Sequence, residues 1–349
     1  MATAVKGSSW GRSFVHPAFD ILLIGGGLSL VATLFLWASP ERSQWLTLGA
    51  IPYIVLLSTA SHFAASTVRL YTKPGTKQSL PFLTMAFPLV ALAILSLTIA
   101  FAGHLGSHLQ SLYLTWSPYH YAAQAYGLAV MYAHRSGCHL NPKDKKRLRW
   151  IAMLPFAFNF LTAPMVGLNW LLPASVVDDP AFGRMATAVG WVLIGAAVVT
   201  PILLIRHVWN SYRSPLPAIS ILTVVANGIW FFVLAPLEAF VFATIFHGIQ
   251  YMAIVIIFHV KDQLGRPGNK RGPAFHAFAF YAASLALGYA LFSALPQAYI
   301  FAGFGRVESV LLVVAAINIH HFIVDAYIWK LERDQGNRRV VESGTPVAA

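Results

Sequence analysis

Ten runs of about twenty mostly apolar residues follow one another along this chain, and that repetition constrains the fold more than any motif. A helix needs roughly 20 apolar residues to cross the ~30 Å hydrocarbon core of a bilayer. The runs fall at 18–38, 46–68, 80–103, 111–134, 150–172, 186–206, 217–235, 238–260, 274–294 and 307–329. Pro and Gly punctuate the gaps, as at Lys73-Pro74-Gly75 and Arg266-Pro267-Gly268. A soluble domain needs a surface that is roughly 25–35% charged, whereas only 10% of these 349 residues are charged. A bilayer removes that requirement, because lipid replaces water around most of the surface. The expected fold class is all-α: a polytopic transmembrane bundle of about ten helices. Residues 1–17 are expected to be a cytoplasmic N-terminal segment, 18–331 the integral membrane domain and 332–349 a polar cytoplasmic tail. The first run follows Lys6 and Arg12 and is long enough to be retained as a spanning helix rather than cleaved as a signal.

The net charge is +12. No stripe of Lys and Arg interleaved with aromatics appears, so nucleic acid is not an expected partner. The basic residues cluster between apolar runs, where anionic lipid headgroups lie. With the N-terminus placed inside, 21 of the 24 basic residues fall in inner segments, and Arg42, Arg184 and Arg306 fall outside. Cytoplasmic loops carry such an excess, which places both termini on the cytoplasmic face of an inner or plasma membrane. The longest loop is expected at Arg135–Arg149, with His104 and His108 in an outer loop. Cys138 is the sole cysteine, which excludes an internal disulfide and argues against a cysteine metal site. No Walker loop, His-Glu-x-x-His or nucleophile elbow occurs. Gly25-Gly26-Gly27 lies within the first run, where it suits helix packing rather than a phosphate cradle.

Thirteen histidines is a large number for so apolar a chain. Ionisable residues inside a span are expensive and face the bundle interior or a functional path. His62, His120, His247, His320 and His321 stand well inside the predicted spans, and imidazole is a common ligand for iron, copper and zinc. Depth follows from the first basic residue at each inner end, at about 1.5 Å per residue. His120 lies about 22 Å before Arg135 and His247 about 21 Å before Lys261, so these two are level. His321 lies about 13 Å before Lys330 and His62 about 10 Å before Arg69, a second level nearer the cytoplasm. Two metal positions fit those depths better than one. Gln124 follows His120 by four residues, Gln250 follows His247 by three and Asp325 follows His321 by four. Such spacings share a helix face, making these three the expected partners of a cofactor. Asp325 either ligates directly or orients His321 through its other nitrogen; Lys330, Arg333 or Arg69 are alternative ion-pair partners. His320 points about 100° away from His321. His134, His207 and His259 read as interfacial, His16 and Asp20 as a helix start, and Tyr251 as packing.

Three function classes follow. A membrane-embedded metal oxidoreductase, with non-haem iron or copper, would act on an isoprenoid, quinone or lipid. A b-type haem protein would clamp two stacked haems with His120 and His134 on one helix and His247 and His259 on another. A transporter or a subunit of a membrane complex would use the histidines as proton relay or glue. The segment Asn318-Ile-His320-His321-Phe resembles the copper-binding histidine pair of haem–copper oxidases over these five residues, while the rest of that family's pattern is absent.

Overall fold

The computed structural model describes residues 10–39, 41, 44, 49–212, 214–329 and 335–342. Every regular element among them is helical. The longer ones are α1 (Pro17–Ile24), α2 (Gly27–Ala38), α3 (Ile51–Thr72), α4 (Phe82–Ala100), α5 (Ala102–Arg135), α6 (Pro142–Thr162) and α7 (Pro180–Tyr212). They continue with α8 (Ala218–Ala226), α9 (Ile229–Val233), α10 (Pro236–Leu264), α11 (Pro273–Phe301), α12 (Arg306–Ile328) and α13 (Gln335–Glu342).

Six helices (α3, α4, α7, α10, α11 and α12) are long and apolar enough to cross a membrane, or seven if α1 and α2, bent by 49°, form one broken span. This is the composition of an integral membrane protein. The remaining predicted runs also fall on helix, with different limits. Helix α5 has the length, 34 residues, but its histidines, glutamines and serines lower its apolarity. Helix α6 starts at Pro142, eight residues before the predicted run, and opens on a basic stretch. It stops before Pro164, because the residue preceding proline disfavours helical backbone. The run 217–235 is broken at Asn227-Gly228 into nine- and five-residue helices. Only Gly fits there, since a Cβ at Gly228 would lie 2.3 Å from Pro155.

Two loop expectations are corrected. His104 and His108 are exposed residues on α5, not in a loop. The 135–149 loop shrinks because its second half is the first two turns of α6. Gly25-Gly26-Gly27 marks the break between α1 and α2: Gly26 has φ 81°, and a Cβ on it would meet Ala226 at 2.6 Å.

The chain divides into two compact units, residues 1–47, 118–247 and 341–346, and residues 48–117, 248–340 and 347–349. The division falls inside α5 at Pro118 and inside α10 at Gly248. In the first unit, α6 and α7 pack along their lengths, and Ala133, Leu148, Ile151, Leu204, Val208 and Val224 form a core. Asp20 is fully buried there. It accepts hydrogen bonds from the backbone N–H of Phe14 and Val15 and from Tyr132 Oη at 2.7 Å, pinning the start of the described chain.

In the second unit, α3 packs between α11 and α12, and α12 also packs on α4. Arg69 of α3, 1% exposed, reaches Asp262 at 3.2 Å and Asn337 Oδ1 at 2.7 Å, with its guanidinium over Phe258 and Trp329. An unpaired buried charge costs several kcal/mol, so Asp262 is required by that burial. Asn337 also donates to Ile328 O and accepts from Lys73, tying the start of α13 into this unit. Windows of α7 and α11 are only 17% buried, against 67% for α10. The exposed windows carry bulky apolar side chains such as Trp191, Val192 and Phe278, the arrangement expected of lipid-facing helices.

Candidate functional site

In the second unit the site grows from a wide turn of α3. Residues Val55–Ala60 follow a π-helical path, a local widening often found at functional positions. The hydroxyls of Ser58 and Ser61 bond back to the carbonyls of Ile54 and Leu57. His62 follows at once, fully buried. Ser66, one turn on, shares its face.

His321 of α12 meets this face. The His62 and His321 rings lie edge to face with centroids 5.0 Å apart, and their donor nitrogens are within 4.8 Å of each other. Ser66 Oγ lies 3.0 Å from His321 Nδ1, and Asp325 Oδ2 lies 3.5 Å from His321 Nε2. Tyr251 of α10 donates from its hydroxyl to Asp325 Oδ1 at 2.8 Å. Its ring centroid is 5.6 Å from His62 and 5.3 Å from His321. The backbone of α10 comes close enough for this because residue 248 is Gly: a Cβ there would sit 2.8 Å from both His62 Nδ1 and Ser58 O.

The donor set suits a metal ion. Two ligand atoms about 2.1 Å from one ion at a near-tetrahedral angle are about 3.4–3.5 Å apart, which matches Asp325 Oδ2 and His321 Nε2 at 3.5 Å. Ring centroids stand about 3.2 Å from an ion bound through nitrogen, given 2.0–2.1 Å bonds. Two imidazoles on one ion at roughly 100° therefore have centroids about 5.0 Å apart, as His62 and His321 do.

In the first unit, His120 of α5 and His247 of α10 have ring centroids 5.0 Å apart, inclined by 72°. His247 is fully buried and His120 is 9% exposed. Tyr121 packs on His247 at 4.4 Å, and its hydroxyl exchanges a 2.8 Å hydrogen bond with Thr244. Each unit thus holds one close pair of buried histidines. Searches of known protein families, of curated proteins and of solved structures find nothing that matches this chain. Geometry alone carries the functional argument.

The remaining predicted residues are less involved. His320 turns away from His321 and stacks on Phe87 at 4.8 Å and 11°. Its Nε2 is buried without a hydrogen-bond partner among the described residues, and no other histidine ring packs on it among them. Gln124 is half-buried on α5 and Gln250 buried on α10. Of the alternative partners for Asp325, Lys330 and Arg333 lie outside the described residues, and Arg69 spends its guanidinium on Asp262 and Asn337. His134 is exposed and His207 half-buried, as an interfacial position implies, but His259 is 8% exposed and packed against Phe280 at 4.4 Å.

Sequence reasoning missed Tyr251, read as packing, together with Ser66 and Gly248. Ser66 had a usable signal in its spacing of four from His62. Tyr251 and Gly248 had none, since their roles depend on which helix faces α3 and α12.

Proposed function

We propose that this chain is a membrane-embedded, histidine-ligated metal oxidoreductase acting on a hydrophobic substrate such as an isoprenoid, quinone or lipid. The ion would be non-haem iron or copper, the metals that imidazole and carboxylate donors accept for redox chemistry. The observation that carries the reading is the pair of 5.0 Å histidine contacts, one in each unit, with Asp325 set 3.5 Å from a nitrogen of His321. In the second unit His62 and His321 would ligate, with Asp325 as a third donor, and Ser66 would hold the Nδ1 side of His321. Tyr251 would fix the Asp325 carboxylate by its hydrogen bond. In the first unit His120 and His247 would share an ion, with Gln124 nearby on the same helix. The metal would supply one-electron chemistry in a setting closed to bulk water.

A haem held between two of these histidines fits less well. Trans ligands on one iron put their centroids about 6.4 Å apart on the same bond lengths, beyond the 5.0 Å of either pair. The clamp through His134 and His259 loses support too, since His134 lies 3.0 Å from His139 and His259 is packed on Phe280.

The topology proposed with this function is ten spans with both termini cytoplasmic, in an inner or plasma membrane, supported by the 21-to-3 division of basic residues. Metal analysis with an absorption spectrum of the purified protein tests the function. Iron or copper near stoichiometric amounts without a Soret band supports it. A Soret band selects haem, and protein that carries neither selects a transporter or assembly subunit.

A further inference from the structure

A second chemistry, separate from the histidine pairs, lies where α6 begins. Lys143, Lys145, Lys146, Arg147 and Arg149 are all exposed. The end of the antiparallel α7 comes alongside, and Arg206 is exposed there. Two large indoles flank these cations, Trp150 at 66% exposure and Trp209 at 52%. Farther up α7, Ile202 and Leu203 are exposed at 61% and 57%.

Asp144 is the only acidic residue between Glu41 and Asp178, and it is 1% exposed. Its Oδ1 takes Arg147 at 2.7 Å and faces His207 Nε2 at 3.2 Å, while Oδ2 accepts from Tyr212 Oη at 2.6 Å. Burial acts to raise this carboxyl, but the bonds from Tyr212 and Arg147 and the His207 charge outweigh it and hold it below the usual carboxylate range. The one carboxylate of the region is therefore turned inward and consumed. Lys143, Lys145, Lys146, Arg149 and Arg206 have no carboxylate partner among the described residues.

We propose that this face of the first unit is a binding site for an anionic phospholipid of the surrounding bilayer. The phosphate would rest on Lys143, Lys145, Lys146, Arg149 and Arg206, and the acyl chains would run along the exposed apolar face of α7. Trp150 and Trp209 would lie at the headgroup level, where tryptophan concentrates. The amphipathic layout selects lipid over a soluble anion or nucleic acid. A soluble anion would leave both indoles and the α7 face in water, and a nucleic acid would leave the aliphatic α7 face there. The proposal rests on the chain lying in a bilayer and is independent of any metal.

The test uses the full chain in phosphatidylcholine vesicles, after flotation has shown that it is membrane-inserted. Dibrominated phosphatidylglycerol and dibrominated phosphatidylcholine are compared as quenchers of tryptophan fluorescence. A Trp150→Phe/Trp209→Phe protein isolates the local signal by difference. Each cation near an anionic headgroup contributes about a fivefold preference, so five cations, allowing for non-additivity, predict at least about a tenfold preference for the glycerol lipid. The preference should fall as salt rises and disappear in Lys143→Gln/Lys145→Gln/Lys146→Gln/Arg149→Gln/Arg206→Gln, whose changes are all on the surface. Equal quenching by both lipids in the wild type overturns the proposal without reference to any variant. So does a preference that survives in the fivefold variant, or displacement of the brominated lipid by inorganic phosphate but not by chloride at the same ionic strength. Failure to float with the vesicles removes the bilayer reading and this proposal together, whatever the metal content.

Discussion

Replacing Asp325 by Asn separates a metal-binding role from a structural one, and the geometry sets the size of each effect. Asn keeps the shape of the side chain and an acceptor for the Tyr251 hydroxyl, now 2.8 Å from Oδ1. It replaces Oδ2, 3.5 Å from His321 Nε2, with an amide nitrogen that can neither ligate nor accept. Hydrogen bonds to charged groups contribute about 1.5–3 kcal/mol and neutral ones about 0.5–1.5. The metal-free fold should therefore lose no more than about 2.5 kcal/mol, measurable as a drop in thermal midpoint. The effect on metal is a separate observable. Loss of a carboxylate that orients a ligand costs about 10–100-fold in affinity, or about 1.4–2.8 kcal/mol at 1.4 kcal/mol per tenfold, and loss of a direct ligand costs at least that. The assay is metal per folded molecule after equilibration against a competing chelator, with thermal stability measured on the same sample. Tyr251→Phe is the companion: it leaves the charge in place and should reduce affinity less than Asp325→Asn. If Asp325→Asn lowers yield and midpoint while metal per folded molecule stays constant, Asp325 is a structural partner of Tyr251 and leaves the site.

Gly248→Ala should destabilise the protein by about 1–3 kcal/mol, the usual cost of overpacking, because its Cβ would fall 2.8 Å from His62 Nδ1 and Ser58 O; thermal unfolding checks it, and an unchanged midpoint refutes the packing. Asp144 is held below its unfolded value, so its stabilisation is present above about pH 4 and lost as pH falls through the folded pKa. Asp144→Asn should therefore remove part of the acid sensitivity of unfolding, and identical acid midpoints in the two proteins contradict that. Topology is best read at new cysteines, because Cys138 is 1% exposed and burial, with Asp144 nearby, raises its thiol pKa. Lys145→Cys should resist an impermeant thiol reagent in intact cells and Ser175→Cys should react; the reverse pattern would invert the proposed orientation.

The helical class and the positions of the helices were legible because apolar runs of bilayer length leave few alternatives. The pairing of His120 with His247, and of His62 with His321, was legible as depth: each pair stands at a similar distance from basic inner ends. What remained hidden depends on contacts between helices or on local backbone. The π turn before His62 has no spacing signature. The break at Asn227-Gly228 exists because Pro155 of another helix occupies the space a side chain would need. Tyr251 became a partner of Asp325 only once α10 lay against α12. His259 stands two residues before Lys261 and looks interfacial, yet it is covered by Phe280. Cys138 looks like an ordinary loop thiol, but the first turns of α6 enclose it with Leu140 and Leu148.

The central claim is that the buried histidine pairs hold redox metal. Its most direct test is metal stoichiometry in protein purified without added metal, measured for the wild type and for His62→Ala, His321→Ala, His120→Ala and His104→Ala. His104 is exposed on α5 and serves as the control. The account predicts iron or copper in the wild type and in His104→Ala, loss from one position in His62→Ala and His321→Ala alike, and loss from the other in His120→Ala. Equal metal in all five proteins, or none in any of them while the fold is intact, would contradict it.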